Sequence, residues 1–384
     1  MFIPLKDLPG GKNWTLDELN ERQVQLLIPV IIFISIAMVV GTVGNALVLY
    51  VNIFFIKLRN STHRHFIIFL ALADITFCMI GDPFVIGVLN HPYKFTNIIA
   101  CKCFRAFTYF NAVVSVLVLF VIALDRYRRI CRPYGNQFSI KSINAIFGVI
   151  VFISIILSMP SFIMYGKNTV QTGIANITGI SCFPEDIYIN TMFPIACNIF
   201  LYSVYIILTV LMCLFYISVW RQVRKHANST KILDPSYTNE PYTSTSTAER
   251  TVIEMNLERT LPRTKRTILD DLTTVKDLER CANMESKHNI FDNRSINAKS
   301  INVSKTLFVV TVFFVLSFAP FLSLEVIIFL DKEIIESLDN ISTVFYQLLW
   351  RSFAINFMVN PIIYGVMDRR FRLECRKLVF KCHI

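Results

Sequence analysis

Long apolar runs separated by short charged segments dominate the chain. From Ala106 to Leu124, 19 consecutive residues carry no formal charge. A helix needs about that many residues to cross ~30 Å of hydrocarbon. The run is opened by Cys101 and Cys103 and closed by Asp125-Arg126-Tyr127, where charge becomes tolerable at the interface. Six further runs, at 26–56, 65–89, 143–165, 187–220, 304–330 and 344–367, have the same character. The pattern predicts an all-α membrane protein with seven transmembrane helices.

Composition agrees with the pattern: 54% of residues are hydrophobic and 17% charged, against about 25% charged in soluble domains. The net charge of +11 is not the footprint of a nucleic-acid groove, because it is concentrated in alternate loops. Lys57, Arg59 and Arg64 follow the first span, and Arg128, Arg129, Arg132 and Lys141 follow the third. The segment after the fifth span and the tail are also basic. Basic loops stay in the cytoplasm, so the N-terminus is expected outside the cell and the C-terminus inside. Residues 1–25 are polar and of mixed charge, so the first span itself is expected to direct insertion.

Residues 26–222 thus carry spans one to five and 301–367 carry spans six and seven. Between them, 223–300 is rich in Ser, Thr and Asn and poor in apolar periodicity, as expected of a disordered third cytoplasmic loop with helical extensions of its flanking spans. Residues 368–384 read as a short amphipathic cytoplasmic helix and tail lying on membrane lipid, with Cys375 and Cys382 as palmitoylation candidates. Asn13-Trp14-Thr15 and Asn176-Ile177-Thr178 are glycosylation acceptors on the outer side.

Several motifs recur in a fixed order: Gly44-Asn45, Leu72-Ala73 with Asp74, Cys101, Asp125-Arg126-Tyr127, Phe314 with Phe318 and Pro320, and Asn360-Pro361-Ile362-Ile363-Tyr364. In this the chain resembles the rhodopsin-like (class A) G-protein-coupled receptors across all seven spans. The resemblance implies a plasma-membrane receptor for an extracellular ligand that activates a heterotrimeric G protein and is shut off by receptor kinases and arrestin. It pairs Cys101 with Cys182, with Cys103 as the rival partner. It makes Asp125 the restraint on Arg126, Pro320 and Pro361 the hinges of spans six and seven, and Tyr216 and Tyr364 the tyrosines that swing inward on activation. It also implies an allosteric sodium ion held by Asp74, Ser115, Asn356 and Asn360. Phe318 stands where the family has a switch tryptophan, and Ser300 where many members carry an acid facing the arginine.

A carboxylate in hydrocarbon is costly unless paired, hydrated or protonated, so Asp74 is expected to face the bundle interior. Thr108 and Ala354 stand where amine receptors and opsins of the family carry their ligand-binding aspartate and lysine, so neither ligand class is expected. Thr108, Tyr109, Phe321, Glu325, Tyr346 and Trp350 are expected to line the ligand cavity. With Asp82, Glu185 and Asp186 at the outer ends, this set suits a basic or amidated peptide, with Glu325 pairing its basic group. The alternatives are a receptor for a non-peptide small molecule, or a transporter or channel. No metalloprotease, paired-aspartate or nucleophile motif points to an enzyme.

Overall fold

The computed structural model describes residues 5, 13–55, 62–174, 176–189, 191–232, 303–328 and 337–381. They form eleven α-helices and one β-hairpin. The helices are α1 (Leu16–Tyr50), α2 (Thr62–Thr76), α3 (Asp82–Asn90), α4 (Ile98–Cys131), α5 (Ile140–Met164), α6 (Asp186–Ile189), α7 (Phe193–Ile232), α8 (Val303–Ile328), α9 (Asn340–Trp350), α10 (Ala354–Met367) and α11 (Arg369–Lys381). β1 (Tyr165–Gln171) and β2 (Thr178–Pro184) are antiparallel. Met1–Trp220 and Ser304–Ile384 gather into one compact unit. Arg221–Val303 is a separate unit, of which the described residues are the end of α7 and Val303.

Among the described residues, six helical segments are apolar and long enough to cross a membrane: Leu16–Phe55, Thr62–Asn90, Ile98–Cys131, Ile140–Met164, Phe193–Lys225 and Val303–Ile328. The seventh is in two pieces, α9 and α10. At their junction the amides of Arg351, Ser352, Ala354, Ile355 and Asn356 bond to carbonyls three residues back, which winds this stretch tighter than an α-helix.

Apolarity alone does not orient these helices, because both faces are apolar. Their polar residues do. On α1 the buried positions Leu27, Val30, Ile34, Ala37, Gly41, Asn45 and Val48 recur every three or four residues, while Ile32, Ile36, Val39 and Val43 face outward. On α5 the buried stripe carries Ser154, Ser158 and Ser161, while Phe152, Ile156 and Ile163 are exposed. This is a bundle with polar groups inside and an apolar exterior, as lipid requires.

Two boundaries differ from expectation. The first helix starts at Leu16, ten residues before 26, because Thr15 and Glu18 form a reciprocal capping box. The segment after α5 is not a plain loop: seven residue pairs from Tyr165↔Pro184 to Gln171↔Thr178 build the hairpin. Two π-helical turns, Val51–Phe55 and Phe77–Gly81, interrupt the first two spans. The second directly precedes the turn that carries Pro83. The expected tail helix is present as α11, started by Asp368, whose carboxylate accepts from the amides of Arg370 and Phe371 (2.8 and 3.2 Å).

Candidate functional site

At one end of the bundle lies Asp125-Arg126-Tyr127, in the last turns of α4. Asp125 is fully buried and Arg126 is 4% exposed. The Asp125 carboxylate pairs with Arg126 and also accepts from Arg129 Nε (3.1 Å), whose Nη2 reaches Thr62 Oγ1 (2.8 Å). One carboxylate therefore holds two guanidinium groups; removing it would leave the buried Arg126 charge uncompensated, while the Arg129 side chain is 31% exposed to solvent. Tyr127 packs on Phe215 (5.2 Å between ring centroids), and the Tyr216 hydroxyl meets Thr311 Oγ1 (3.2 Å). The Tyr364 hydroxyl is buried with no hydrogen-bond partner among the described residues.

In the middle of the bundle Asp74 is fully buried and accepts from Asn360 Nδ2 (2.7 Å). Asp74 Oδ1, Ser115 Oγ, Asn360 Oδ1 and Asn356 Nδ2 are buried without a hydrogen-bond partner among the described residues. Orphaned buried oxygens are rare because each costs the desolvation of a polar group. Asp74 Oδ1, Ser115 Oγ and Asn360 Oδ1 are a carboxylate, a hydroxyl and an amide oxygen, the ligands a hard cation takes, so these three fit a sodium ion; the unpartnered atom of Asn356 is an N–H donor, and its amide would have to turn its oxygen inward to join them.

Next to this group, Pro361 lacks the N–H that would bond the carbonyl of Phe357, and Asn45 Nδ2 donates to that carbonyl instead (2.7 Å). In the turn before Pro320, Ser352 Oγ donates to the carbonyl of Ser317 (2.6 Å). The carbonyl freed by Pro361 is thus served by a side chain of α1, while near Pro320 the α9–α10 junction bonds the carbonyl next to the freed one.

At the other end lies a cavity of about 90 Å³. Thr108, Tyr109, Phe321, Glu325 and Trp350 line it, as the sequence led one to expect. Tyr346 does not; it is 3% exposed and packs on Trp350 (5.6 Å). The floor is aromatic. Phe321 meets Phe353 (5.9 Å), Phe353 meets Phe318 (6.1 Å) and Phe318 meets Phe314 (4.7 Å), so rings descend from the cavity past Pro320.

The hairpin borders the cavity, with Tyr165 in its wall and the Cys182 carbonyl accepting from Arg105. A disulfide joins Cys101 to Cys182 with their Cα atoms 5.5 Å apart, while Cys103 is free and exposed. Backbone bonds from Phe95 to Ile180 (2.9 Å) and from Ile180 to Tyr93 (2.8 Å) tie β2 to the α3–α4 connection. Asn176 lies exposed in the hairpin turn with φ 68°, a left-handed conformation that asparagine tolerates better than most residues.

The electrostatics depart from expectation. Glu185 pairs with Lys102 of α4 (2.6 Å), and Asp186 accepts from the amide and hydroxyl of Thr169 in β1 (2.9 and 2.7 Å), so both carboxylates already have partners. Asp82 is buried and is not part of the cavity wall. Arg105 and Arg351, not singled out from the sequence, line the cavity instead. An acidic cavity suited to a basic peptide is therefore not what forms. The signal for Arg351 was available: it is an ionisable residue inside an apolar span, the property that drew attention to Asp74. Ser300, Cys382 and the Ser/Thr-rich loop lie outside the described residues.

Residues 44–364 match the family described as 7 transmembrane receptor (rhodopsin family). The match begins at Gly44 and ends at Tyr364. The chain belongs to that family and is a multi-pass membrane protein with a seven-helix bundle. Among relatives, it is 30% identical to the C3a anaphylatoxin chemotactic receptor of Oncorhynchus mykiss over 153 residues, 39% of this chain and 40% of that protein. It is 24% identical to nematocin receptor 2 of Caenorhabditis elegans over 248 residues, 62% and 60% of the two chains. It is 36% identical to G-protein coupled receptor 84 of Mus musculus over 107 residues, 27% of each. The matched stretches thus span less than two thirds of these relatives.

Proposed function

We propose that this protein is a cell-surface receptor that binds an extracellular peptide in the cavity beside the hairpin and activates a heterotrimeric G protein at the Arg126 end. The observation that carries this reading is the run of contacting rings from Phe321 through Phe353 and Phe318 to Phe314. It connects the cavity to the turn that carries Pro320. Ligand pressing on Phe321 and Trp350 shifts this stack, the inner half of α8 moves, and Arg126 is exposed to the G protein as Asp125 loosens its hold. Relatives named for C3a anaphylatoxin and nematocin support an extracellular messenger of the kind those names specify.

In this reading the N-terminus and the hairpin face outward, with glycans on Asn13 and Asn176. Kinases and arrestin act on the inner face, Cys382 carries a lipid, and the protein is a transducer rather than an enzyme. Asp74, Ser115, Asn356 and Asn360 would hold a sodium ion that favours the resting state. The ion supplies a fixed positive charge against Asp74, and Asn360 keeps that carboxylate oriented.

Ligand-stimulated nucleotide exchange on purified G proteins is the test. Exchange that follows ligand dose and is lost in Arg126→Ala supports the reading. Solute uptake or ion current without exchange at any G protein would assign the bundle to transport instead.

A further inference from the structure

Two guanidinium groups share the cavity. Arg105 comes from the outer part of α4 and Arg351 from the tightly wound junction of α9 and α10, and the two are within electrostatic reach of each other. Arg351 is 8% exposed and is held by the carbonyl and the side-chain oxygen of Gln347. Arg105 donates to the carbonyl of Cys182 (3.1 Å) and lies 5.2 Å from the ring centroid of Tyr165. Its Nε is buried with no hydrogen-bond partner among the described residues. Apart from Glu325, which acts electrostatically on Arg105, these partners are neutral.

Glu325 is the only carboxylate among the described residues of the cavity wall. One carboxylate against two guanidinium groups leaves one positive charge in a space walled mainly by aromatic rings. A buried charge is costly unless paired. The acids that might have paired with it from the rim are occupied, Glu185 by Lys102 and Asp186 by Thr169. An anion entering the cavity would recover this cost, and a planar guanidinium presents donors spaced to match a carboxylate.

We propose that the cavity recognises a free carboxylate, held between Arg105 and Arg351 and carried on an apolar or aromatic body that packs against Phe84, Phe321 and Trp350. This rests on the receptor reading and names its ligand class. A peptide with an unamidated C-terminus ending in a bulky apolar residue has this chemistry, and so does a fatty acid. An amidated peptide does not.

The experiment uses full-length receptor in lipid nanodiscs and matched probe pairs. One pair is an acetylated tripeptide ending in phenylalanine, as acid and as amide; the other is decanoic acid and decanol. Binding is followed by tryptophan fluorescence, since Trp350 lines the cavity, and nucleotide exchange is measured in parallel. The acid of at least one pair should bind at least tenfold tighter than its neutral partner. That preference should fall below threefold in Arg105→Gln and Arg351→Gln. The lysine variants, which keep the charge and lose the fork, should retain part of it and cover the case in which a glutamine variant does not fold.

Preference confined to the tripeptide assigns the carboxylate to a peptide terminus, and preference confined to decanoate assigns it to a fatty acid. Equal behaviour of every acid and its neutral partner, including binding by none, overturns the proposal. Acid preference without exchange would leave the site standing and remove the receptor reading. Exchange driven equally by acid and amide would do the reverse.

Discussion

Replacing Gly44 by alanine tests why glycine and asparagine stand together on α1. A Cβ at Gly44 would lie 2.8 Å from both Cβ and Cγ of Pro361, atoms of a rigid ring that cannot swing aside. Carbon–carbon contacts are comfortable at about 3.5–4.0 Å, so α1 and α10 must separate by roughly an ångström. Overpacking of this kind costs about 1–3 kcal/mol. The same separation stretches the 2.7 Å bond from Asn45 to the Phe357 carbonyl, adding about 0.5–1.5 kcal/mol. Against this stands the better helix propensity of alanine, about 0.5–1 kcal/mol. The balance is a loss of roughly 1–3 kcal/mol. Gly148 on α5 is the control: it is exposed and a Cβ there would meet nothing within 4 Å. Thermal unfolding of purified receptor, followed by accessibility of the buried Cys78 thiol, should show Gly44→Ala well below wild type and Gly148→Ala level with it or above. Equal stability of the two variants would refute the close approach of α1 to Pro361.

Three further outcomes are expected. Peptide mapping without reduction should find Cys101 joined to Cys182; the bond closes 81 residues of chain, worth about 4–5 kcal/mol by loop entropy, so Cys101→Ser should sharply lower surface expression. Agonist affinity should fall as sodium rises in wild type and become insensitive to it in Asp74→Asn, and an equal response in the two would remove the ion. Changing Thr243, Ser244, Thr245, Ser246 and Thr247 together to alanine should abolish most agonist-driven arrestin recruitment while nucleotide exchange persists, since each phosphate adds about −1.5 to −2 charge; full recruitment would shift the signal elsewhere.

How much could be read from the chain depended on whether a residue's role is local. Spans were legible because each is a long apolar run. Asp74 was legible because a carboxylate inside such a run needs a partner, and Asn360 provides one. The order of the motifs carried the family. The start of α1 was missed although Thr15 and Glu18 are a local capping signal, because apolarity was used to set the boundary. The hairpin was missed because β1 is mostly polar, and the contacts that anchor β2, with Tyr93, Phe95 and Cys101, are distant in sequence. The charge of the cavity was misjudged for a non-local reason. Glu185 and Asp186 look free in sequence, and only folding shows Lys102 and Thr169 taking them up.

The tightly wound junction between α9 and α10 makes the seventh span a screw rather than a rod. Its bonds reach back three residues, so each residue there advances about 2.0 Å instead of 1.5 Å and turns about 120° instead of 100°. Every residue rewound to α-geometry shortens the span by about 0.5 Å and rotates one half against the other by about 20°. The outer half carries Trp350, with Arg351 at its end, while the inner half is pinned by Asn45 and Asp74. A pull on Arg351 would therefore reach the inner half as torque coupled to a small change in length.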